Sequence, residues 1–189
     1  MDEIKLLENQ LKRMRSMNKF YHLQFLNDVR YFFVIGLVSL IISFYSEKTM
    51  YLLPLLALFG SVILAFHAYY LIFSRNYSEF IEKKINKLLN KETFITHKLE
   101  NSYFFPIQEK KIVVAKFGKD FSWFSFVTLF ITFYGISLYV YGMYNIFVTL
   151  NSSYFFIFII LLTLVTFTIG YWWFVNNEGE SRLKSIYDE

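Results

Sequence analysis

The chain contains no cysteine, and only 2 of its 189 residues are proline and 7 are glycine. Without cysteine it cannot be a disulfide-stapled secreted scaffold. The shortage of proline and glycine excludes collagen-like and Pro/Gly-rich low-complexity chains. Charge is scarce as well, because 18% of the residues are charged whereas 56% are hydrophobic and 22% aromatic. The composition is therefore that of an ordered, strongly apolar chain rather than a disordered one.

Long stretches without charge determine the class of protein. Residues 121–177 contain no Asp, Glu, Lys, Arg or His in 57 positions, and residues 49–74 are interrupted only by His67. A helix that spans a bilayer needs about 20 mostly apolar residues, so the first stretch holds two spans and the second holds one. A further span is predicted where residues 31–46 are free of charge. We therefore predict an all-α polytopic membrane protein with four transmembrane helices.

The chain divides into five segments by charge and periodicity. Span two has no helix breaker before Asn90, so it should continue beyond the membrane as a rod and run beside the N-terminal helix in an antiparallel stalk. A short helix is expected within 92–103, and Pro106 should end it. The predicted segments are an amphipathic helix (1–29), transmembrane helices 1 and 2 (30–73), a helical segment with a loop (74–120), transmembrane helices 3 and 4 (121–175) and a tail (176–189).

The distribution of basic residues predicts the orientation. Of the 19 Lys and Arg residues, 18 lie before span one, between spans two and three, or after span four. Basic residues favour the cytoplasmic side of a membrane. Both termini and the central segment are therefore predicted to be cytoplasmic, with two short turns outside.

The N-terminal helix carries a heptad-like pattern, in which apolar residues alternate at steps of three and four with one polar position. Such a seam packs on another helix of the same chain, or on other copies, where a buried Asn would fix the register. Both interpretations stay open from the sequence. The seam consists of Ile4, Leu7, Leu11, Met14, Asn18, Tyr21 and Phe25.

Span three carries one continuous face of small or polar residues, and the rest of its surface is Phe, Leu, Ile and Val. Small residues allow helices to approach closely, so this face is typical of a packing seam. The functional alternative is that it lines a water-filled path. The face comprises Ser125, Thr128, Thr132, Gly135, Tyr139, Gly142, Asn145 and Thr149.

Ionisable residues within or beside the spans are candidates for function. His67 lies in the middle of span two, where it is either a polar gating site or a histidine satisfied by neighbouring hydroxyls. The sequence offers it no evident carboxylate partner. Asp28 and Arg75 lie at the margins of spans one and two, and we expect these two side chains to pair.

The central segment is rich in lysine. Near an inner leaflet of anionic lipid these lysines hold the segment against headgroups. Alternatively they bind an anionic regulator such as a nucleotide, an oligonucleotide or an acidic protein surface, with nearby aromatics available for stacking. The candidate contacts are Lys98, Lys110, Lys111, Lys116 and Lys119.

The sequence lacks the residue groupings that membrane enzymes use. His22, His67 and His97 fall in different segments, and there is no HExxH motif, no Gly-rich phosphate loop and no cysteine. We therefore expect no catalytic residues, no metal site and no cofactor.

Residues 2–90 resemble the SLATT-type membrane effectors of bacterial conflict systems in architecture. The similar stretches are Met17-Asn18-Lys19-Phe20-Tyr21-His22 before span one and Ser74-Arg75-Asn76-Tyr77 after span two. Four-span anti-phage effectors are the nearer analogy for the whole chain. The resemblance implies an oligomeric, ion-permeable effector of a bacterial inner membrane that stays closed until infection.

Three functions follow as hypotheses. The first is a homo-oligomeric pore that depolarises the membrane in anti-phage defence. The second is a non-conducting anchor or sensor that recruits a soluble cytoplasmic partner, and the third is a small transporter. The expected partners are the lipid bilayer, further copies of the chain and a soluble protein or anionic regulator, and a nucleic acid is left open.

Overall fold

The computed structural model describes residues 2–103, 123–150, 153–176, 178 and 181, and every regular element in these residues is helical. Four helices are long and apolar enough to cross a membrane. The prediction of an all-helical chain with four such helices is confirmed. The elements are α1 (Asp2–Ser43), α2 (Glu47–Met50), α3 (Leu53–Leu89), α4 (Thr96–Tyr103), α5 (Trp123–Thr149), α6 (Ser153–Gly170) and a π-helical turn (Tyr171–Val175).

Helices α1 and α3 are continuous rods that lie antiparallel. They contain 42 and 37 residues, which corresponds to about 63 and 55 Å at about 1.5 Å per residue. A bilayer core is about 30 Å thick, so both helices are too long to be contained in one. Leu7 and Leu11 near the start of α1 pack with Ile81 and Ile85 near the end of α3. We call residues 2–22 of α1 together with residues 75–89 of α3 the stalk.

The ends of α3 follow from local backbone chemistry. Pro54 occupies its first turn, where the missing N–H donor costs little. Asn90 ends the helix in the left-handed conformation, with φ 49°, which Asn tolerates better than most residues. The Oδ1 atom of Asn86 then accepts hydrogen bonds from the backbone N–H groups of Thr93 at 3.0 Å and Phe94 at 2.9 Å. The chain is thereby folded back, and α4 lies against the stalk.

The main apolar core lies between α1, α3 and α5, and includes Phe25, Phe32, Leu64 and Leu138. Helix α6 packs much less, because 6% of its most apolar window is buried, compared with 33% for the helix that contains α3. The part of the α6 surface that is not buried consists mostly of exposed Phe, Ile, Leu and Val side chains. Apolar side chains exposed over a whole helix indicate a multi-pass membrane protein.

Candidate functional site

The small and polar face of α5 packs in part against other helices of the same chain, and its residues Thr132 and Thr149 are exposed. Thr128 is buried. Gly142 lies so close to Pro54 that an added Cβ atom would be 2.7 Å from the proline Cγ atom, whereas a Cβ atom at Gly135 would meet the Phe32 ring at an ordinary 3.5 Å. Glycine is therefore required for the approach of α5 to α3 at one of these two positions.

The other polar residues of the α5 face are satisfied within the chain. The Tyr139 hydroxyl lies 2.8 Å from Thr163 Oγ1 of α6, and Thr149 Oγ1 lies 3.1 Å from the Tyr51 hydroxyl. Thr132 and Asn145 donate hydrogen bonds to backbone carbonyls one turn earlier, each at 2.7 Å.

These hydrogen bonds mean that the face needs no water to satisfy its polar groups. The geometry therefore favours the packing seam, and the water-filled path stays a prediction. The side chain of Ser125 lies outside the described residues.

The heptad-like seam of α1 is likewise occupied by α3. Leu7, Leu11 and Phe25 are buried, and Ile4, Met14 and Tyr21 pack against the same clusters. Asn18 is half-buried. These contacts match the interpretation of a helix that packs within its own chain, and a role for the seam between copies stays a prediction.

His67 has a carboxylate partner, contrary to the expectation from the sequence. Its Nδ1 atom contacts Oδ2 of Asp28, and each of the two side chains is 19% exposed. The expected pair between Asp28 and Arg75 was wrong, because Arg75 is instead paired with Glu100 at 3.9 Å.

The antiparallel register of α1 and α3 explains the pairing. Arg15 of α1 contacts Glu82 of α3 in the stalk. Asp28 lies 13 residues after Arg15 in α1, and its partner His67 lies 15 residues before Glu82 in α3, as expected for antiparallel helices. Arg75 lies more than two helical turns from that level. The contact between Asp28 and His67 therefore joins α1 and α3 where the stalk passes into the apolar helices.

An ion pair between Arg15 and the buried Glu82 helps to hold α4 on the stalk. Glu82 is 1% exposed, and its Oε1 atom accepts a hydrogen bond from Arg15 Nη2. Its Oε2 atom accepts from the backbone N–H of His97 at 3.0 Å and lies 2.8 Å from His97 Nδ1. Arg15 also donates to Thr96 Oγ1 at 2.6 Å. We call Arg15, Glu82, Thr96 and His97 the clasp.

Burial and hydrogen bonding shift the pKa of Glu82 in opposite directions. Desolvation acts to raise the pKa of its carboxyl, but the hydrogen bonds from the His97 backbone, Arg15 and the His97 side chain outweigh it. The pKa of Glu82 is consequently lowered from its ordinary value of 4.5. An ionised Glu82 only accepts hydrogen bonds, so His97 Nδ1 carries the proton in this contact.

Sequence reasoning missed the clasp. Glu82 is followed in the sequence by Lys83 and Lys84, but it follows Ser74, Ser78 and Ile81 at helical spacing and shares their buried side. That spacing was the available signal. Of the predicted lysine contacts, Lys98 forms an exposed pair with Glu92 at 2.5 Å, and Lys110, Lys111, Lys116 and Lys119 lie outside the described residues.

No protein-family model, curated protein or solved structure matches the chain. Among the residues that the structure describes, no three His, Asp or Glu side chains are grouped so that they could hold a metal ion. The contacts within the chain are therefore the basis for inferring a function.

The contact between Asp28 and His67 predicts an energetic coupling. We expect Asp28→Leu and His67→Leu each to lower the free energy of unfolding in detergent by about 1–3 kcal/mol, because each leaves a partly buried polar partner unsatisfied. The double variant should lose less than the sum of the two, with a coupling of about 0.5–3 kcal/mol. Additive losses in this double-mutant cycle would contradict the pairing.

Proposed function

We propose that the chain is a homo-oligomeric membrane protein of a bacterial inner membrane that forms a gated pore and depolarises the membrane in anti-phage defence. In this proposal both termini and the stalk lie in the cytoplasm. The observation that carries the proposal is the continuity of α1 and α3, which run unbroken from the stalk into the apolar helices and are joined there by Asp28 and His67. A change at the stalk would consequently move the first two spans together.

The conducting path in this proposal lies between copies of the chain. The polar face of α5 is largely occupied inside one copy, with Gly142 against Pro54 and Tyr139 against Thr163. Helix α6 and the outer side of α5 remain exposed, so they are available to lipid or to a neighbouring copy. Assembly around an axis is the simplest way for four helices to enclose a path.

The second candidate is a non-conducting anchor or sensor with a soluble cytoplasmic partner. The internal packing of the α5 face favours it, because a face that is satisfied within the chain needs no water. A small transporter has less support, since no discontinuous helix faces a binding site among the described residues.

Locking the stalk distinguishes the first two candidates. Gln10 and Tyr77 are hydrogen-bonded across the stalk at 3.3 Å, and the chain has no cysteine of its own. The variant Gln10→Cys/Tyr77→Cys can therefore be bridged with a bis-maleimide reagent at these two sites alone. We expect the unbridged protein to dissipate a potassium gradient in liposomes once it is triggered, and the bridged protein to do so several-fold more slowly under the same trigger, because the described packing is held closed.

The two single-cysteine variants treated with the same reagent are the controls, and they should conduct as the untreated protein does. An absence of flux from the folded, oligomeric wild-type chain at every protein density would contradict the pore. Stable capture of a cytosolic protein by the same preparation would then support the anchor.

A further inference from the structure

Helix α6 and the π-helical turn that follows it present an exposed apolar stripe. Its members recur at steps of three and four, away from the buried Ile159, and all of them are exposed. An aromatic residue stands at each end, and one threonine is the only other residue with a polar group. We call Tyr154, Ile157, Leu161, Leu164, Thr168 and Trp172 the outer stripe of α6.

The aromatic ends of the outer stripe are separated by nearly the thickness of a bilayer core. Tyr154 and Trp172 are 18 positions apart, which corresponds to about 27 Å at about 1.5 Å per residue. A hydrocarbon core is about 30 Å thick. Tyr and Trp are enriched at the two interfaces of a membrane, where the ring is in apolar surroundings and its polar group reaches water. The stripe therefore has the length and the end residues of a lipid-facing surface.

The threonine hydroxyls between these ends are satisfied within the helix. Thr163, Thr166 and Thr168 donate to backbone carbonyls one turn earlier, at 2.7, 2.9 and 2.7 Å. Residues 153–173 contain no Asp, Glu, Lys, Arg or His. A polar group in hydrocarbon must find its partner inside the protein. This part of α6 can therefore lie in hydrocarbon without an unsatisfied threonine.

A contact between helices relates the tryptophan end of the stripe to α3. The Trp173 ring lies 5.6 Å from the Tyr69 ring, and Tyr69 is two positions from His67 in α3. The contact between Asp28 and His67 therefore lies close to the level of the tryptophans. The charge-free residues 31–46 of α1 and 49–66 before His67 all lie on the other side of this level.

The opposite end is marked by tyrosine in both helices. The Tyr51 hydroxyl lies 3.1 Å from Thr149 Oγ1 at the end of α5, next to the turn that leads to Tyr154. Tyr51 and Tyr69 are also 18 positions apart, or about 27 Å at about 1.5 Å per residue. Helices α3 and α6 thus give the same distance between two aromatic levels.

The composition of the outer stripe favours lipid over a second copy of the chain. Helices in membranes pack through small residues, and the close approach of Gly142 to Pro54 is an example within this chain. The outer stripe contains no Gly, Ala or Ser. Its large aliphatic side chains suit acyl chains, which need no close approach of two backbones.

We propose that acyl chains of the bilayer cover the outer stripe of α6, and that the stalk-side boundary of the hydrocarbon core lies at the level of Asp28 and His67. This proposal rests on the membrane insertion proposed above, and it assigns one side of α6 to lipid rather than to a neighbouring copy. His67 then lies at the interface, whereas the sequence predicted it in the middle of span two. An ionisable pair costs less there than at the bilayer centre.

A nitroxide label reports which medium covers a side chain. Because the chain has no cysteine, single cysteines can be introduced into the full chain, labelled, and studied in phosphatidylcholine liposomes. Power saturation in electron paramagnetic resonance measures collisions with molecular oxygen, which concentrates in hydrocarbon, and with a nickel chelate, which stays in water. A label inside a protein contact meets neither reagent.

Leu161→Cys tests the occupant of the outer stripe. We expect its label to collide with oxygen several-fold more often than with the nickel chelate, because the residue lies near the middle of the stripe. Dilution of the protein with more lipid should leave both collision rates unchanged. The replaced side chain is exposed, so the labelled variant should keep the unfolding temperature of the wild type.

Leu23→Cys and Val34→Cys test the boundary. These residues of α1 lie on opposite sides of the Asp28 level and are similarly exposed, at 52% and 54%. They are 11 positions apart, which returns to the same side of a helix with about 3.6 residues per turn. We expect the ratio of oxygen to nickel collisions to be several-fold higher at Val34 than at Leu23.

Two results would overturn the proposal and leave the membrane insertion intact. A Leu161 label that meets neither reagent would show that protein, such as a second copy, covers the stripe. A ratio at Val34 no higher than at Leu23 would show that the boundary lies elsewhere. Nickel collisions as frequent at Leu161 as at Leu23 would instead contradict the insertion itself, and with it the proposed pore.

Discussion

Gly142→Ala is expected to destabilise the chain although it adds a single methyl group. The new Cβ atom would overlap the Pro54 ring and lie 3.1 Å from Leu53 Cβ. A proline ring in the first turn of α3 cannot rotate away, so α5 and α3 must separate. Overpacking of this kind costs about 1–3 kcal/mol. The loss should be seen as a lower unfolding temperature in detergent, with faster hydrogen exchange where α5 crosses α3.

Two other glycines provide matched controls. A Cβ atom at Gly135 would make an ordinary contact with Phe32, and one at Gly170 would meet no atom within 4 Å. Alanine at either position should leave the unfolding temperature unchanged or raise it slightly, because alanine favours helix over glycine by about 1 kcal/mol. If Gly142→Ala proved as stable as Gly170→Ala, the close approach of α5 to Pro54 would be wrong.

Glu82→Ala is expected to release α4 from the stalk. The substitution removes the acceptor for Arg15 and for both His97 contacts. Removing one partner of a buried ion pair costs about 3–5 kcal/mol, and we expect the lower end of this range because the Arg15 side chain is 40% exposed and can turn to water. Hydrogen exchange over residues 93–100 should accelerate strongly, whereas exchange in α5 should not.

The control for Glu82→Ala is Glu92→Ala, which removes an exposed carboxylate paired with Lys98. Exposed ion pairs contribute little to stability, so we expect no measurable change in exchange. Equal protection of α4 in wild type and Glu82→Ala would show that the clasp does not hold this helix.

Lowering the pH should weaken the attachment of α4 to the stalk, as the removal of Glu82 does. Because its pKa is lowered on folding, the stability that Glu82 contributes is complete above its ordinary value of 4.5 and is lost as the pH falls through the lowered value. Burial raises the pKa of Glu100, against the attraction of Arg75, so protonation of Glu100 stabilises the fold as the pH falls. The difference in unfolding free energy between wild type and Glu82→Ala reports mainly the first effect, because Glu82 contributes less than burial to the raised pKa of Glu100, and this difference should shrink in acid.

The helices could be predicted from the sequence because their causes are local. Long runs without charge specify the apolar helices, and the absence of a breaker before Asn90 correctly predicts the extension of α3. The antiparallel stalk follows from two apolar faces of similar length. None of these predictions requires knowledge of which side chains are in contact.

The pairing of charges could not be predicted, because it depends on distant parts of the chain. Asp28 meets His67 rather than Arg75 only once the register of α1 and α3 is fixed over their whole length. The burial of Glu82 depends on α4, which reaches the stalk through a turn held by Asn86.

The unbroken length of α1 gives the protein a lever arm. The helix contains no proline, and its one glycine is Gly36, so nothing in its sequence between Asp2 and Asp28 favours a hinge. That stretch measures about 39 Å at about 1.5 Å per residue. A tilt of about 5° around the Asp28 level would displace the N-terminal tip by roughly 3 Å on this length, and residues near the pivot would scarcely move. A ligand that binds at the N-terminal end of α1 would therefore exert a much larger torque about the Asp28 level than one that binds beside Asp28.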